Sequence, residues 1–371
     1  MLETPVRVLQ VLTVPFKQNG ITRCVMNYVS RFEATRVRCD FVAPNAPDEE
    51  SAELIERTGG QVFVLRHRNA DPLNYIHQLS LIVSERNEQI VHAHGNSATL
   101  AFEMMAAKLG GAKIRIPHSH NTTCKMKLAD KALRGLFRHN YTDAMACGEA
   151  AGEWLFEEKP FTVLHNAIAA EHFHFDGNKR AFARGEYGIP EDAFAVCHVG
   201  TFNEQKNQRF LIEAFALLLK NRPESVLMLV GEGDLEHACR ERAKALGIEE
   251  QVKFLGSLPD VSAALSAADV FALPSLHEGL PLTLVEAQCA GLPCVVSDFV
   301  TRESALTSLV SFCGIDRAEL FAEALASVAA INRELASDEA IAEVRAAGYD
   351  VTDNAETLVK WYETLIREAK A

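Results

Sequence analysis

Short apolar runs of strand length alternate with longer stretches of helical periodicity along the whole chain. In the first half the apolar runs occupy positions 6–14, 39–42, 61–65, 90–93, 114–118 and 144–147. In the second half they occupy positions 195–199, 225–230, 252–255, 270–273 and 293–297. Segments with helical spacing, such as 22–32 and 98–109, lie between them. This alternation predicts an α/β fold of two doubly wound domains, each a parallel sheet covered by helices on both faces.

The pattern is interrupted between residues 166 and 179, where the chain loses periodicity and collects Asp, Gly and Asn. We interpret this segment as a hinge between the domains. The last stretch is amphipathic, with apolar side chains at Leu358, Trp361, Tyr362, Leu365 and Ile366. The sequence therefore predicts a first domain of residues 1–168 completed by a C-terminal helix at 355–371, and a second domain of residues 169–354.

Length and charge narrow the class of protein. The 371 residues fit two domains of roughly 150–200 residues each. The net charge of −13 argues against nucleic acid as a partner. No apolar run approaches the ~18 residues that a membrane-spanning helix needs. The N-terminal segment MLETPVRVLQVLTV is interpreted as a first strand and not as a secretion signal.

The cysteines argue against a metal site. Nine cysteines form no C-x-x-C pair, and no Cys/His cluster has the spacing of a zinc site. We therefore expect no metal and no cofactor. Cys289 and Cys294 have apolar neighbours in the sequence and are predicted to be buried free thiols. These features indicate a reducing, cytoplasmic compartment.

The segment 269–298 places two carboxylates, Glu278 and Glu286, eight positions apart around a turn that opens a helix. Gly279 is expected to give the backbone freedom to turn, and Pro281 suits the first helical position. Gly291 suits the residue just past the helix end.

The start of that helix is a predicted phosphate site. Leu282, Thr283 and Leu284 would present free backbone N–H groups, which attract phosphate together with the helix dipole. Carboxylates on either side could accept hydrogen bonds from hydroxyls that flank the phosphate. A phosphate between two polyhydroxyl groups describes a nucleotide sugar. The alternative is that both glutamates merely solvate a helix surface.

The same segment resembles the family-4 retaining glycosyltransferases, whose signature is E-G-hydrophobic-x-x-x-x-x-E followed by A-x-x-x-G-x-P-V-V. The matching positions are Glu278, Gly279, Leu280, Glu286, Ala287, Gly291 and Pro293. Cys294 replaces the first Val of the signature. The resemblance covers almost the whole chain and implies the GT-B fold, with two Rossmann-like domains facing across a cleft and a C-terminal helix crossing back to the first domain. It is strongest to bacterial exopolysaccharide and capsular-polysaccharide glycosyltransferases.

A second segment, GTFNEQKN at 200–207, follows a predicted strand and precedes a helix. Lys206 would lie near the helix N-terminus, where a cation is disfavoured unless an anion lies against the same amides. An exposed lysine reaching solvent is the alternative interpretation. The family pattern G-R-x-x-x-x-K uses its Arg and Lys to hold the donor diphosphate. Lys206 matches, but Thr201 stands where the Arg is expected, so one cation remains unless another basic residue compensates.

Two further turns are weaker signals. Gly231-Glu232-Gly233 begins a dinucleotide fingerprint whose third glycine is replaced by Glu236. We interpret it as a tight strand-to-helix turn. In the first domain, Gly20 is the one glycine kept in a loop where the resembled family has two, and the family's loop approaches the donor phosphates.

Histidines cluster after two strands of the first domain, and strand ends of this kind face the ligand crevice of a doubly wound sheet. The family places a histidine near His120, in the segment HSHN, in contact with the donor sugar. His92 and His94 form a second pair. Their spacing suggests a metal, but no carboxylate accompanies them, so a metal is not predicted.

The region 113–139 is basic in an otherwise acidic chain. It holds one acid, Asp130, against seven basic residues: Lys113, Arg115, Lys125, Lys127, Lys131, Arg134 and Arg138. A basic amphipathic helix suits an anionic membrane surface or a lipid-linked, phosphate-bearing acceptor. A solvated basic face packed by its apolar side is equally open. The candidate acceptor and membrane residues are Lys125, Lys127, Lys131 and Arg134.

Together these features predict a retaining glycosyltransferase (hexosyltransferase) that moves a sugar from a nucleotide donor, UDP-linked, to a lipid-linked or growing glycan acceptor in exopolysaccharide or capsule biosynthesis. By resemblance, Glu286 binds the ribose, Glu278 and His120 hold the donor sugar, and Lys206 with the amides of 280–284 stabilises the leaving diphosphate. The catalytic set is Glu278, Lys206 and His120, and the donor-binding set is Glu286, Gly279, Leu280, Leu282, Thr283 and Gly20.

Two rivals stay open at this point. One is a nucleotide-sugar epimerase of the same architecture, which would need no acceptor. The other is a non-catalytic sugar-nucleotide-binding subunit of a polysaccharide assembly. A nicotinamide oxidoreductase is disfavoured because the fingerprint is incomplete. The predicted location is the cytoplasm, with peripheral contact at the inner face of the membrane as the open alternative for the basic region.

Overall fold

The computed structural model describes residues 4–16, 20–124 and 126–369. The chain divides into two compact units. The first comprises residues 1–167 and 348–371, and the second comprises residues 168–347. Each unit contains one parallel sheet with helices, so the predicted α/β class is confirmed.

The first unit is built on a seven-stranded parallel sheet in the order β3-β2-β1-β4-β5-β6-β7, and the second on a six-stranded sheet in the order β10-β9-β8-β11-β12-β13. The central strands are buried along their whole length, which explains their continuous apolar runs. The strands are β1 Val6–Leu12, β2 Val37–Ala43, β3 Val62–Val64, β4 Ile90–Gly95, β5 Ile114–Ser119, β6 Met145–Ala146, β7 Thr162–Val163, β8 Ala195–Val199, β9 Val226–Val230, β10 Val252–Gly256, β11 Val270–Leu273, β12 Cys294–Ser297 and β13 Val310–Cys313.

The helices connect successive strands and cover the sheets. They are α1 Gly20–Val29, α2 Glu49–Arg57, α3 Pro72–Glu85, α4 Ala101–Leu109, α5 Lys127–Arg138, α6 Glu149–Phe156, α7 Gly177–Glu186, α8 Gln208–Leu218, α9 Glu236–Ala245, α10 Ser262–Ala267, α11 Leu282–Cys289, α12 Ala318–Ala326, α13 Arg333–Ala346 and α14 Val351–Glu368. Among the described residues, no helix combines the length and the apolar character that crossing a bilayer requires.

The C-terminal helix α14 belongs to the first unit, where it packs on α1 and β1. It begins four residues before the predicted start, because Asp350 caps it by accepting a 2.8 Å hydrogen bond from the Thr352 backbone N–H. Tyr362 is fully buried in this contact. Arg36 ties the same helix to the sheet through ion pairs to Glu356 at 2.6 Å and Glu363 at 3.1 Å.

Close backbone packing explains several glycines of the second unit. Gly231 and Gly233 have φ values of 134° and 159°, and a Cβ on either would lie within 2.4 Å of a carbonyl oxygen in the turn after β8. The interpretation of this segment as a tight turn is therefore confirmed. All nine cysteines are free, and Cys289 and Cys294 are buried as predicted.

Two strands were not predicted. β7 has two residues, and β13 is a half-buried edge strand whose sequence VSFC mixes polar and apolar positions. Neither presents the long apolar run that marks the central strands, so the pattern of the sequence alone does not separate them from loops.

Candidate active site

The candidate site of the second unit lies where the strand order reverses. The neighbouring strands β8 and β11 are parallel, and the sheet continues to β9 on one side and β12 on the other. The segments that leave the carboxyl ends of such strands diverge and open a crevice. The segment after β8 carries Lys206, and the segment after β11 carries Glu278, so the topology brings together two residues that the sequence singled out separately.

Lys206 and Glu278 form an ion pair with 2.6 Å between Nζ and Oε1. Ser275 Oγ donates to the same carboxylate oxygen at 2.8 Å, and Gln205 Nε2 donates to Oε2 at 3.3 Å. The side chains of Lys206 and Glu278 are only 16% and 9% exposed. The alternative of an exposed lysine reaching solvent is therefore wrong, and Glu278 is not a solvated surface acid.

The turn after β8 fixes the position of Lys206. Its backbone N–H donates to Asn203 Oδ1 at 2.9 Å, and Asn207 adopts a left-handed conformation with φ 56° at the start of α8. A Cβ on Gly200 would lie 3.1 Å from Lys206 Cδ and Cε, so the lysine stem lies against this glycine. Thr201 is exposed and brings no charge, which leaves Lys206 as the cation of this turn.

The helix start differs from the prediction by one residue. α11 begins at Leu282, and Pro281 is its N-cap and not its first helical residue. The N–H of Leu284 donates to Pro281 O at 2.9 Å, so this amide is not available to a ligand as predicted. Among the described residues, the amides of Leu282 and Thr283 have no acceptor, and Thr283 Oγ1 is enclosed without a hydrogen-bond partner. These donors satisfy the requirement for a phosphate site.

Gly279 does not act as predicted. Its φ lies outside the left-handed region that favours glycine, so the turn does not depend on that freedom. No atom lies within 4 Å of where its Cβ would stand, which makes this the open side of the turn. The backbone of Glu278 pairs in parallel with Val300, and this bridge holds the turn against the segment after β12. Leu280 is half-buried beside it.

Glu286, the second predicted acid, lies in the interior of α11 with 0% of its surface exposed. Neither acid of the predicted pair therefore points into bulk solvent. The end of α11 follows the prediction at Gly291, which has φ 62°. Its N–H donates to Gln288 O, and that of Leu292 donates to Ala287 O, the paired bonds of a Schellman motif.

His198 is a residue of this site that the sequence analysis missed. It lies on β8, fully buried, with Nδ1 at 2.9 Å from Ala272 O. A Cβ on Gly200 would contact both its Nε2 and the stem of Lys206, so the imidazole and the lysine flank one glycine. Burial lowers the pKa of His198 to about 4, the Ala272 carbonyl opposes this shift, and the charge of Lys206 adds to it. A histidine inside the apolar run AVCHV was the available signal.

In the first unit, four histidines gather at the carboxyl ends of β4 and β5. His92 Nε2 lies 3.1 Å from His118 Nδ1, and His94 Nδ1 lies 3.0 Å from His120 Nε2. Burial lowers the pKa of His92 to about 3 and that of His120 to about 4, so these rings are neutral at pH 7. His118, the other histidine of the segment HSHN, stacks on both His92 and His120 and so joins the two predicted pairs into one cluster.

The other predicted site residues of this unit are His120 and Gly20. His120 Nε2 faces His94, and His120 Nδ1 is buried inside the protein. The role of His120 as a sugar contact therefore stays a prediction. Gly20 is the exposed first residue of α1. The neighbouring Gln18 and Asn19 lie outside the described residues.

Helix α5 changes the set of basic candidates. The prediction that Arg134 contacts an acceptor or a membrane is wrong. Its guanidinium pairs with Asp130 at 3.0 Å and Glu157 at 2.6 Å and is not presented to a ligand. Lys127 and Lys131 are exposed, with Leu128 between them at 87% exposure. Lys125 lies outside the described residues. The outward face is therefore smaller and less basic than the sequence predicted.

Comparison with known proteins gives one consistent result. The family model described as "Glycosyl transferases group 1" matches residues 179–340. A Bacillus subtilis protein named as the glycosyltransferase EpsF is 34% identical over 96% of this chain and 96% of its own length. An Escherichia coli protein named UDP-Gal:alpha-D-GlcNAc-diphosphoundecaprenol alpha-1,3-galactosyltransferase is 29% identical, with 58% of this chain and 59% of its own covered.

The fold is shared with solved structures. The structure of Anabaena HepE in complex with UDP and glucose aligns with a TM-score of 0.78 at 17% identity, covering 97% of this chain and 100% of that one. The WaaG glycosyltransferase, described as involved in lipopolysaccharide biosynthesis, aligns with a TM-score of 0.64 at 17% identity, covering 95% of each chain. The predicted GT-B fold is therefore confirmed.

Proposed function

This chain belongs to the group 1 glycosyl transferases, and from that premise we propose that it transfers a hexose from a UDP-sugar to a lipid-linked or growing glycan acceptor with retention of configuration. The observation that carries the proposal is the Lys206–Glu278 ion pair beside the amides of Leu282 and Thr283. It supplies a cation, an acceptor for sugar hydroxyls and phosphate-binding donors in one crevice of the second unit.

The ion pair suggests how the leaving group is stabilised. With Glu278 as its partner, Lys206 carries a charge that is already balanced. A bound diphosphate would draw Nζ away from the carboxylate and leave Glu278 to accept hydroxyl hydrogens of the donor sugar. As the bond to the sugar breaks, negative charge grows on the diphosphate, and Lys206 with the α11 amides stabilises it in a site that is already organised. Glu286 is assigned to the ribose hydroxyls.

The choice of donor and acceptor classes follows the relatives. The E. coli relative is named for UDP-Gal and a diphosphoundecaprenol-linked acceptor, and HepE was solved with UDP and glucose. We extend these classes to this chain as a UDP-hexose donor and a lipid-linked acceptor. The B. subtilis relative, EpsF, matches along nearly its full length and supports a place in exopolysaccharide assembly.

A lipid-linked acceptor lies at a membrane surface, and α5 offers a face for it. Leu128 is 87% exposed between Lys127 and Lys131, so an apolar side chain could enter the lipid while the ammonium groups meet anionic headgroups. We therefore propose peripheral contact through this face.

The donor is tested by thermal unfolding of the purified chain with a panel of nucleotide sugars. A UDP-hexose is expected to raise the melting temperature, and Glu286→Ala is expected to abolish the shift. Glu319→Ala is the matched control, because this exposed acid lies in the first turn of α12 in the same unit. Indifference of the wild type to every nucleotide sugar would contradict the proposal.

Transfer is tested by incubating the stabilising donor with polyprenyl-diphosphate sugars and following UDP release and product mass. A larger lipid-linked product supports the proposal, and an α-linked product from an α-linked donor supports retention. A new sugar nucleotide formed without acceptor would identify an epimerase. Donor binding without turnover across the acceptor panel would favour a non-catalytic subunit.

A further inference from the structure

The histidine cluster of the first unit is more than a pair of sequence motifs. β4 carries His92 and His94, β5 carries His118, and His120 follows directly after β5. The two strands are parallel neighbours with His94 aligned to His118. Residues two apart on a strand share one face. All four imidazoles therefore gather on one side of the sheet.

The distances within the cluster suit a small ion. One ring nitrogen from each of His92, His94 and His118 can be chosen so that the three atoms all lie within 4.8 Å of one another. The 3.1 Å between His92 Nε2 and His118 Nδ1 is close to the roughly 3.3 Å that separates two ligands of a tetrahedral zinc ion with bonds of about 2.0 Å. The same three rings line a cavity of about 10 Å³, the space of a single water or ion.

In His92 and in His94, one ring nitrogen makes a hydrogen bond that fixes the orientation of the ring. His94 Nε2 lies 2.8 Å from Gln10 Oε1, and because that oxygen only accepts, Nε2 carries the proton and Nδ1 holds the lone pair. That lone pair accepts from His120 Nε2 at 3.0 Å, and a bound ion would replace this donor. His92 Nδ1 lies 2.6 Å from Tyr362 Oη, which leaves Nε2 on the side of His118. Metal-binding histidines are oriented by this kind of contact at the other ring nitrogen.

His118 and Cys24 also line the cavity. His118 Nε2 is enclosed and has no hydrogen-bond partner among the described residues.

We propose that His92, His94 and His118 form a binding site for a divalent transition-metal ion of the zinc type. On binding, the facing rings of His92 and His118 turn so that both lone pairs point at the ion. His92 then keeps its proton on Nδ1, donated to Tyr362. The ion would join the ends of β4 and β5 to the C-terminal helix through Gln10 and Tyr362.

The experiment uses the full chain, with any affinity tag removed, purified from zinc-supplemented medium. Elemental analysis is expected to find about one zinc per chain, and EDTA is expected to lower the melting temperature until zinc is restored. His94→Asn should lose the metal. Tyr362→Phe removes only a hydroxyl and should weaken zinc binding about 10- to 100-fold while the chain still folds.

His198→Asn is the matched control, because it changes a buried histidine of the second unit and should keep the full zinc content. Cobalt substitution gives an independent measurement, since tetrahedral Co²⁺ has characteristic visible absorption.

Absence of metal from the wild type, with no shift in melting temperature on adding zinc or EDTA, would overturn the proposal. The four rings would then be a hydrogen-bonded set of neutral imidazoles. Zinc retained in both His94→Asn and Tyr362→Phe would overturn it equally.

Discussion

Lys206 and Glu278 are 72 positions apart in the sequence and 2.6 Å apart in the structure. Each was recognised from its own segment. A lysine near a helix N-terminus is electrostatically disfavoured, and Glu278 brackets a predicted phosphate-binding turn together with Glu286. The direct pairing of Lys206 with Glu278 was not predictable, since it depends on the order of strands in the sheet. His198 was missed for the same reason, because only the folded chain shows that it lies next to the Lys206 side chain.

Replacing Glu278 with glutamine should separate binding from turnover. Glu278→Gln keeps the size of the side chain but removes the charge that balances Lys206, so UDP affinity should hold or increase. Turnover should fall about 100-fold, because the donor sugar loses a charged acceptor in the transition state. Steady-state kinetics with the stabilising UDP-sugar give both quantities. Glu319→Gln is the control, and an unchanged kcat in Glu278→Gln would remove this residue from the mechanism.

A second residue-scale prediction concerns Glu88, which is buried in the first unit. Burial, together with the hydrogen bond and charge of Asp40, raises its pKa to about 8, while the cations Arg7 and Arg86 oppose the shift. Between the unfolded value of 4.5 and about 8, the folded chain holds a proton that the unfolded chain releases. The free energy of unfolding should therefore fall as pH rises through this window, by on the order of 5 kcal/mol.

Urea unfolding at a series of pH values measures this effect. The wild type should lose stability between about pH 5 and pH 8 relative to Glu88→Gln, which cannot ionise. Glu85→Gln, an exposed acid at the end of α3, should behave as the wild type. Parallel pH profiles for wild type and Glu88→Gln would contradict the assignment.

At the scale of elements, the long buried strands and capped helices were predictable, and the boundaries and edges were less so. The bounds of β8 and β11 agree with the predicted ones, because both are short apolar runs bounded by turn residues. The start of α14 was missed because its first turn is polar, and the Asp350 cap outweighs that composition. Edge strands carry little apolar signal, since one side of them lies outside the core.

The end of α11 allows a direct test of backbone geometry. Gly291 has φ 62°, and a Cβ there would lie 2.5 Å from Arg333 O. Gly291→Ala should therefore destabilise the chain by about 2–4 kcal/mol through strain and overlap. Gly177→Ala is the matched control, because Gly177 starts α7 with no atom within 4 Å of the Cβ position. Denaturant unfolding compares the two, and equal stability would contradict the described turn.

The outward face of α5 leads to a prediction about membranes. The double variant Leu128→Ser, Lys131→Glu should reduce co-sedimentation with vesicles rich in phosphatidylglycerol, because it removes an apolar contact and reverses a charge. Leu109→Ser is the control, since Leu109 is 70% exposed at the end of α4. Equal binding of the double variant and wild type would remove α5 from the membrane contact.

For the whole molecule, the alternation of strands and helices was enough to predict two doubly wound units, and the signature near Glu278 was enough to suggest the family. The relation between sites on different units was not accessible from the pattern, because it depends on how separate sheets are arranged. The histidine cluster shows the same limit within one unit. The spacing of His92 and His94 suggested a metal, but no carboxylate accompanied them, so none was predicted. His118 joins them only through the pairing of β4 with β5.

The central claim is that a sugar diphosphate binds at Lys206 and the start of α11. Titration calorimetry with UDP tests it most directly, using wild type, Lys206→Ala and the control Lys244→Ala, which changes an exposed lysine of α9. Wild type and Lys244→Ala should bind UDP alike, and Lys206→Ala should bind about 10- to 100-fold more weakly because one charge-assisted contact is lost. Equal binding by Lys206→Ala and wild type, or no binding of UDP by the wild type, would contradict the central claim.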